Sequence, residues 1–189
     1  MPQQQTLSAD TATNPNAMKL ETRTNGGFRL GAAYIIAREL TISMDVTGWL
    51  PVSYTRIQFQ DQELQASIPL PVKVTRLATF NVAIGAEYLI VQHVSLAGGF
   101  YTDRSSAPVP QVDGDGHVID GRDALPHVDI YGGTFAVGYF GEHSLTRVGV
   151  TFASGLGQDV VYEASQQAWI TEPLRQTFAY GFIASTFRY

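Results

Sequence analysis

The densest gathering of oxygen ligands in this sequence is Asp113-Gly114-Asp115-Gly116, followed by Asp120 and Asp123. It resembles a calcium loop, but the glutamate and the spacing of an EF-hand are absent. A hard cation needs roughly six to eight oxygens, so a solvated turn is the expected reading. The four histidines, His93, His117, His127 and His143, fall at no ligand spacing and read as turn residues. For nucleophilic catalysis the chain offers neither Gly-x-Ser-x-Gly nor His-Glu-x-x-His, and Ser154-Gly155 is not a nucleophile elbow. The absence of cysteine removes thiolate chemistry and disulfides. No catalytic residue, metal site or cofactor is therefore expected. Asp45, Glu87 and Arg147 remain, each on the polar, inward face of its strand. There they are expected to pair with one another, because contact with lipid would be costly.

The elements that carry these charges are legible as strands. Phe80, Val82, Ile84, Ala86, Tyr88 and Ile90 alternate with Thr79, Asn81, Ala83, Gly85 and Glu87, which is strict period-two patterning. Gln92 and His93 reverse the chain, and Val94 to Tyr101 returns into the polar exit Thr102 to Pro108. One end of this hairpin is tight and the other ragged. The same asymmetry recurs at Ala37-Arg38-Glu39 and Gly141-Glu142-His143. Further alternating runs are Phe28 to Ile36, Leu40 to Val46, Val128 to Phe140, Ser144 to Leu156 and Gln176 to Tyr189. Long loops are expected at 56–75, 109–126 and 157–173. Residues 1–17 read as a polar tail or loop, and Met18 to Thr24 as an eighth strand joined to the next by an Asn25-Gly26 hairpin turn.

Such strands are longer than the soluble mode of about five or six residues and suit a tilted membrane crossing of about nine to eleven. The fold expected is all-β: an antiparallel up-and-down transmembrane β-barrel of seven clear strands and an eighth, with short periplasmic turns and long outer loops. Residues 18–189 form that barrel domain. Aromatics at strand ends, Tyr34, Trp49, Tyr88, Phe100, Tyr139, Phe140, Phe152 and Phe187, are placed to form interfacial girdles. The terminal Tyr189, with Phe187 and Ile183 on its face, is the ending that outer-membrane assembly machinery recognises in barrels of this class.

The totals agree. Apolar residues make up 44% and charged residues 15%, enough apolar surface for a core or a lipid belt. A net charge of -5 and no basic stripe argue against nucleic acid as a partner. No apolar run reaches the roughly 18 residues of a spanning helix, and a barrel hides its membrane signal by alternation, so a mean hydropathy of -0.01 excludes helical membrane proteins only. The first residues carry no signal peptide, which an exported barrel needs.

Ala78-Thr79-Phe80-Asn81-Val82-Ala83-Ile84-Gly85-Ala86-Glu87-Tyr88, then Val94 to Asp103 and the exit Ser106-Ala107-Pro108-Val109-Pro110, resemble the FadL-type family of outer-membrane transporters. Phe28 to Tyr34, Asp45-Val46 with Trp49, and Phe187-Arg188-Tyr189 resemble it more weakly. The resemblance implies uptake of long-chain fatty acids or aromatic hydrocarbons across the bacterial outer membrane. It also implies that the chain is the C-terminal half of a barrel, because a family member has about twice as many strands and an N-terminal plug with an Asn-Pro-Ala motif. Asn14-Pro15-Asn16-Ala17 only echoes that motif. The partners so implied are outer-membrane lipid, the assembly machinery and a hydrophobic small molecule. Trp49, Phe178, Tyr180 and Phe182 are the expected ligand-lining residues, the last three being inward when counted back from an outward Tyr189. A small structural or adhesive barrel is the alternative; a wide apolar lumen would separate the conduit from it.

Overall fold

The computed structural model describes residues 4–8, 18–37, 39–55, 57–59, 73–116, 118–119 and 125–187. Expectations that rest on Asn14 to Ala17, on the span 60–72, on His117, Asp120 and Asp123, or on Arg188 and Tyr189 lie outside the described residues. The strands, in chain order, are β1 (Gln4–Ser8), β2 (Met18–Arg23), β3 (Gly27–Ile36), β4 (Leu40–Trp49), β5 (Val52–Thr55), β6 (Ile57–Phe59), β7 (Lys73–Arg76), β8 (Thr79–Val91), β9 (Val94–Asp103), β10 (His127–Phe140), β11 (Ser144–Glu163) and β12 (Ala168–Phe187). The seven runs that alternate in sequence are the seven strands of one antiparallel sheet, in the order β12-β11-β10-β9-β8-β4-β3.

Alternation sets the faces. On the outward face Phe80, Ile84, Tyr88 and Ile90 of β8 and Phe135, Val137 and Tyr139 of β10 stand exposed. On the inward face Gly132, Ala136 and Gly138 of β10 and Gly149, Thr151 and Ala153 of β11 are buried. Residue size explains the difference, since small side chains let larger neighbours lie across them.

The reversals at Ala37–Glu39, Gln92-His93 and Gly141–His143 all fall at one end of the sheet. They are stitched sideways: Leu89 N–H donates to the Glu39 carbonyl at 2.7 Å, and Phe140 N–H to the His93 carbonyl at 2.8 Å. At the opposite end the β5–β7 ribbon and the β1-β2-β6 sheet gather with the segment after β9. Val74, Ala107 and Val160 are buried there. Polar tethers hold that segment. Leu77 N–H donates to the Ser106 carbonyl at 2.7 Å, Ser105 N–H to Asp129 Oδ1 at 2.9 Å, and His127 Nδ1 meets the Ala107 carbonyl at 2.6 Å.

Several local expectations are corrected. Asn25-Gly26 does not turn a hairpin: neither residue takes a positive φ, and the Gly26 carbonyl instead accepts from Leu50 N–H at 2.7 Å. The expected eighth strand exists as β2, but it pairs with β1 and β6 rather than with β3. Gln4–Ser8, read as tail, is a strand, because a ladder needs only backbone groups. The expected loop 157–173 is instead the far half of a long hairpin, with Val160↔Thr171 and Tyr162↔Trp169 in register and a turn at 164–167. Gly157, Gln158 and Pro173 suggested a break. Pro173 is tolerated because β12 has a neighbour on one side only. Trp49 and Phe140 lie on the inward register, so neither belongs to an outward girdle.

The sheet ends in two edges. β3 pairs only with β4, and β12 only with β11. With seven antiparallel strands the two edges run in the same direction, each toward the tight-turn end. A compact monomer of this mass would expose about 8,900 Å², whereas this chain exposes 13257 Å².

Candidate functional site

The inward face concentrates the polar chemistry. Glu87 on β8 and Arg147 on β11 are separated by β9 and β10, yet Arg147 Nη2 donates to Glu87 Oε2 at 2.7 Å and Oε1 at 3.0 Å. Ser95 of β9 donates its hydroxyl to Oε1 at 2.7 Å from beneath and is 1% exposed. Gly138 of β10 lies opposite both Ser95 and Arg147. A Cβ there would stand 2.5 Å from the Ser95 hydroxyl, so glycine is what lets the carboxylate and guanidinium meet over β10. Strand spacing is about 4.8 Å, and joining β8 to β11 by side chains requires a sheet curved toward this face. Arg147 Nε is buried without a hydrogen-bond partner. A second pair, Arg29 with Asp45 at 3.3 Å, lies over Gly31 on β3 and β4.

Beside the Glu87–Arg147 pair runs a groove of about 440 Å³, floored by Thr41, Ser43, Gly85, Gly99 and Ala136 and walled by Phe182. The Phe182 ring lies over Gly149, its Cζ 2.6 Å from where a Cβ would be. Phe178 and Tyr180 stack at 6.3 Å with ring planes 15° apart, above Ala153 and Thr151 in register. The three β12 aromatics thus share the inward face, as their spacing implies. Trp49 also faces inward, over Gly27 on β3, but stands near the opposite edge of the sheet and borders a separate groove at the loop end. The four expected lining residues therefore do not converge on one cavity. Glu87, Arg147 and Ser95 organise the groove; the paired charges on inward registers were readable, whereas the role of Ser95 depends on Gly138, its partner on the neighbouring strand.

The acidic loop is a turn. Asp115 N–H donates to Asp113 Oδ1 at 3.0 Å and Gly116 N–H to the Asp113 carbonyl at 3.1 Å. Gly116, at φ 78°, offers its carbonyl to Trp169 N–H at 3.0 Å, which docks the turn on β12. His93 and His143 sit in reversals, while His127 opens β10. Among the described residues no group of three His, Cys, Asp or Glu side chains gathers to hold a metal ion.

Comparison with protein-family models, with curated proteins and with solved structures finds no match.

Proposed function

We propose that this chain is a wall of a bacterial outer-membrane β-barrel that admits hydrophobic small molecules, long-chain fatty acids or aromatic hydrocarbons among them. Its outward face would lie against lipid and its inward face along the passage. The contrast between the two faces carries this reading. The outward residues from Phe28 to Ile36, Phe80 to Ile90, Tyr131 to Tyr139 and Thr146 to Leu156 include no charge, while the charged pairs lie inward. A lipid belt about 25 Å tall, and an interior that tolerates charge, make the same division. The aromatic wall of Phe178, Tyr180 and Phe182 supplies apolar surface for an acyl chain. A structural or adhesive barrel without transport draws instead on the Glu87–Arg147 tie, which fastens four neighbouring strands across the inward face.

Calorimetry in detergent separates the two. Under the conduit reading, fatty acids bind saturably and more tightly as the chain lengthens, by up to about 0.8 kcal/mol per buried methylene. Phe182→Ala weakens that binding while the strand content by circular dichroism stays constant. Absence of saturable heat for ligands of every length, with the sheet folded, leaves the structural barrel.

A further inference from the structure

At the loop end, away from the inward groove, the β5–β7 ribbon turns one face toward the end of β2. Val52 and Tyr54 of β5 and Val74 and Arg76 of β7 lie on that face, and Thr22, Arg23 and Asn25 meet them across a cup of about 280 Å³. Two arginines, Arg23 and Arg76, line this cup. Arg23 gives its Nε to Glu21 Oε1 at 2.5 Å, which leaves both of its Nη groups without a partner among the described residues. Arg76 has no carboxylate partner among them. The arginines of the inward face, Arg29 and Arg147, are by contrast each matched to an acid. Among the described residues the lining of the cup thus carries two arginines and no carboxylate, in a chain whose net charge is -5. Glu21 is 6% exposed and does not line the cup.

We propose that this cup binds a phosphate monoester. Arginine forks offer planar sets of donors that fit the oxygens of phosphate two at a time. The lining residues Arg23, Arg76, Asn25 and Tyr54 carry more donors than the two oxygens of a carboxylate can use. A phosphate monoester brings three terminal oxygens and a charge of about -1.5 to -2, which answers the local excess of positive charge. The cup has room for the phosphate and a small organic group such as a hexose. Val52 and Val74 give that group an apolar wall. The same chemistry is presented by a free sugar phosphate and by a phosphorylated lipid headgroup. The proposal stands apart from the conduit reading, since it concerns neither the inward groove nor the outward face.

The test titrates the folded, detergent-solubilised chain with inorganic phosphate and with glucose 1-phosphate, and separately measures its association with vesicles of phosphatidylcholine with and without phosphatidic acid. Arg76→Gln and Arg23→Gln are expected to weaken binding roughly ten- to hundredfold, as for loss of a hydrogen bond to a charged group. Arg76→Lys, which keeps the charge without the fork, should lie between, and Arg175→Gln on exposed β12 should leave binding unchanged. Arginine-dependent binding of the soluble esters identifies a free phosphate as the ligand. Dependence seen only with phosphatidic acid identifies a headgroup. If neither soluble ester nor acidic vesicle binds in an Arg76-dependent way, or if Arg175→Gln costs as much as Arg76→Gln, the cup is not a phosphate site. Circular dichroism confirms folding of each variant, and Arg76→Lys serves as the reading where Arg76→Gln does not fold.

Discussion

The Glu87–Arg147 pair is partly solvated, with side chains 27% and 39% exposed, so its strength lies between that of surface pairs and that of buried ones. What distinguishes it is reach: it joins strands that share no ladder, and Ser95 and Gly138 must both be in place for it to form. Glu87→Ala is expected to destabilise the folded sheet by about 2 kcal/mol, because Arg147, whose Nε already lacks a partner, would lose its carboxylate as well. Arg147→Ala in the Glu87→Ala background should then cost much less than Arg147→Ala alone. A double-mutant cycle on urea unfolding in detergent measures that coupling, and strict additivity would show that the contact contributes nothing. Glycine sets the second expectation at this scale. Gly138→Ala pushes a methyl to 2.5 Å from the Ser95 hydroxyl and should cost about 1–3 kcal/mol as an overpacked site. Gly114→Ala, which meets nothing within 4 Å, is the neutral control for the same measurement.

For the strands, the face assignment is the quantity to test. Ile84 stands on the outward face, 49% exposed, and Ala83 on the inward one. If lipid covers the outward face, Ile84→Arg should hinder insertion into vesicles by about 2–4 kcal/mol near the midplane, and Ala83→Arg by distinctly less. Equal losses in a folding titration would reverse or abolish the assignment. The strands themselves were legible because their side chains alternate with period two over runs that no helix pattern rivals. β1 was not, since a polar edge strand shows no periodicity, and neither was the far half of the β11–β12 hairpin, where Gly157, Gln158 and Pro173 imitate a loop. There the contact that matters is between strands: Tyr162 and Trp169 meet edge to face at 5.4 Å. The candidate site was legible only in part. The inward register of Glu87, Arg147 and Phe182 follows from counting by two. The approach of β8 to β11 does not, because it depends on how far the sheet curves, and curvature is set by small residues such as Gly138 whose effect appears only once the register is known.

At the scale of the molecule, strand number decides what can complete this sheet. β3 and β12 both run toward the tight-turn end, so closing the sheet on itself would set them side by side in parallel. A second copy standing the same way up in a membrane meets the same obstacle, since its β3 would lie parallel to the first copy's β12. A copy turned over would pair β12 with β12 in antiparallel fashion, but it would put the loop end of one copy and the tight turns of the other on the same side of the bilayer. Bacterial single-chain barrels are antiparallel throughout and even in strand number, and hydrocarbon does not tolerate an open edge. Under the barrel reading, the sheet is therefore completed by an odd number of further strands, beginning and ending with one that runs away from the tight turns. The chain contains no cysteine, which makes the expectation simple to check. Ala32 on β3 and Ala179 on β12 lie in one lateral row, linked through Met44, Ile84, Phe100, Gly133 and Phe152. Ala32→Cys is combined in turn with cysteines at Thr177, Ala179, Gly181 and Ile183, to allow for the stagger that barrel closure imposes. After reconstitution and mild oxidation, neither an intramolecular nor an intermolecular β3–β12 disulfide should form. An intramolecular bond would mean that the seven strands close alone through a parallel seam, and an intermolecular one that copies of this chain complete each other; either result would refute the odd-numbered partner.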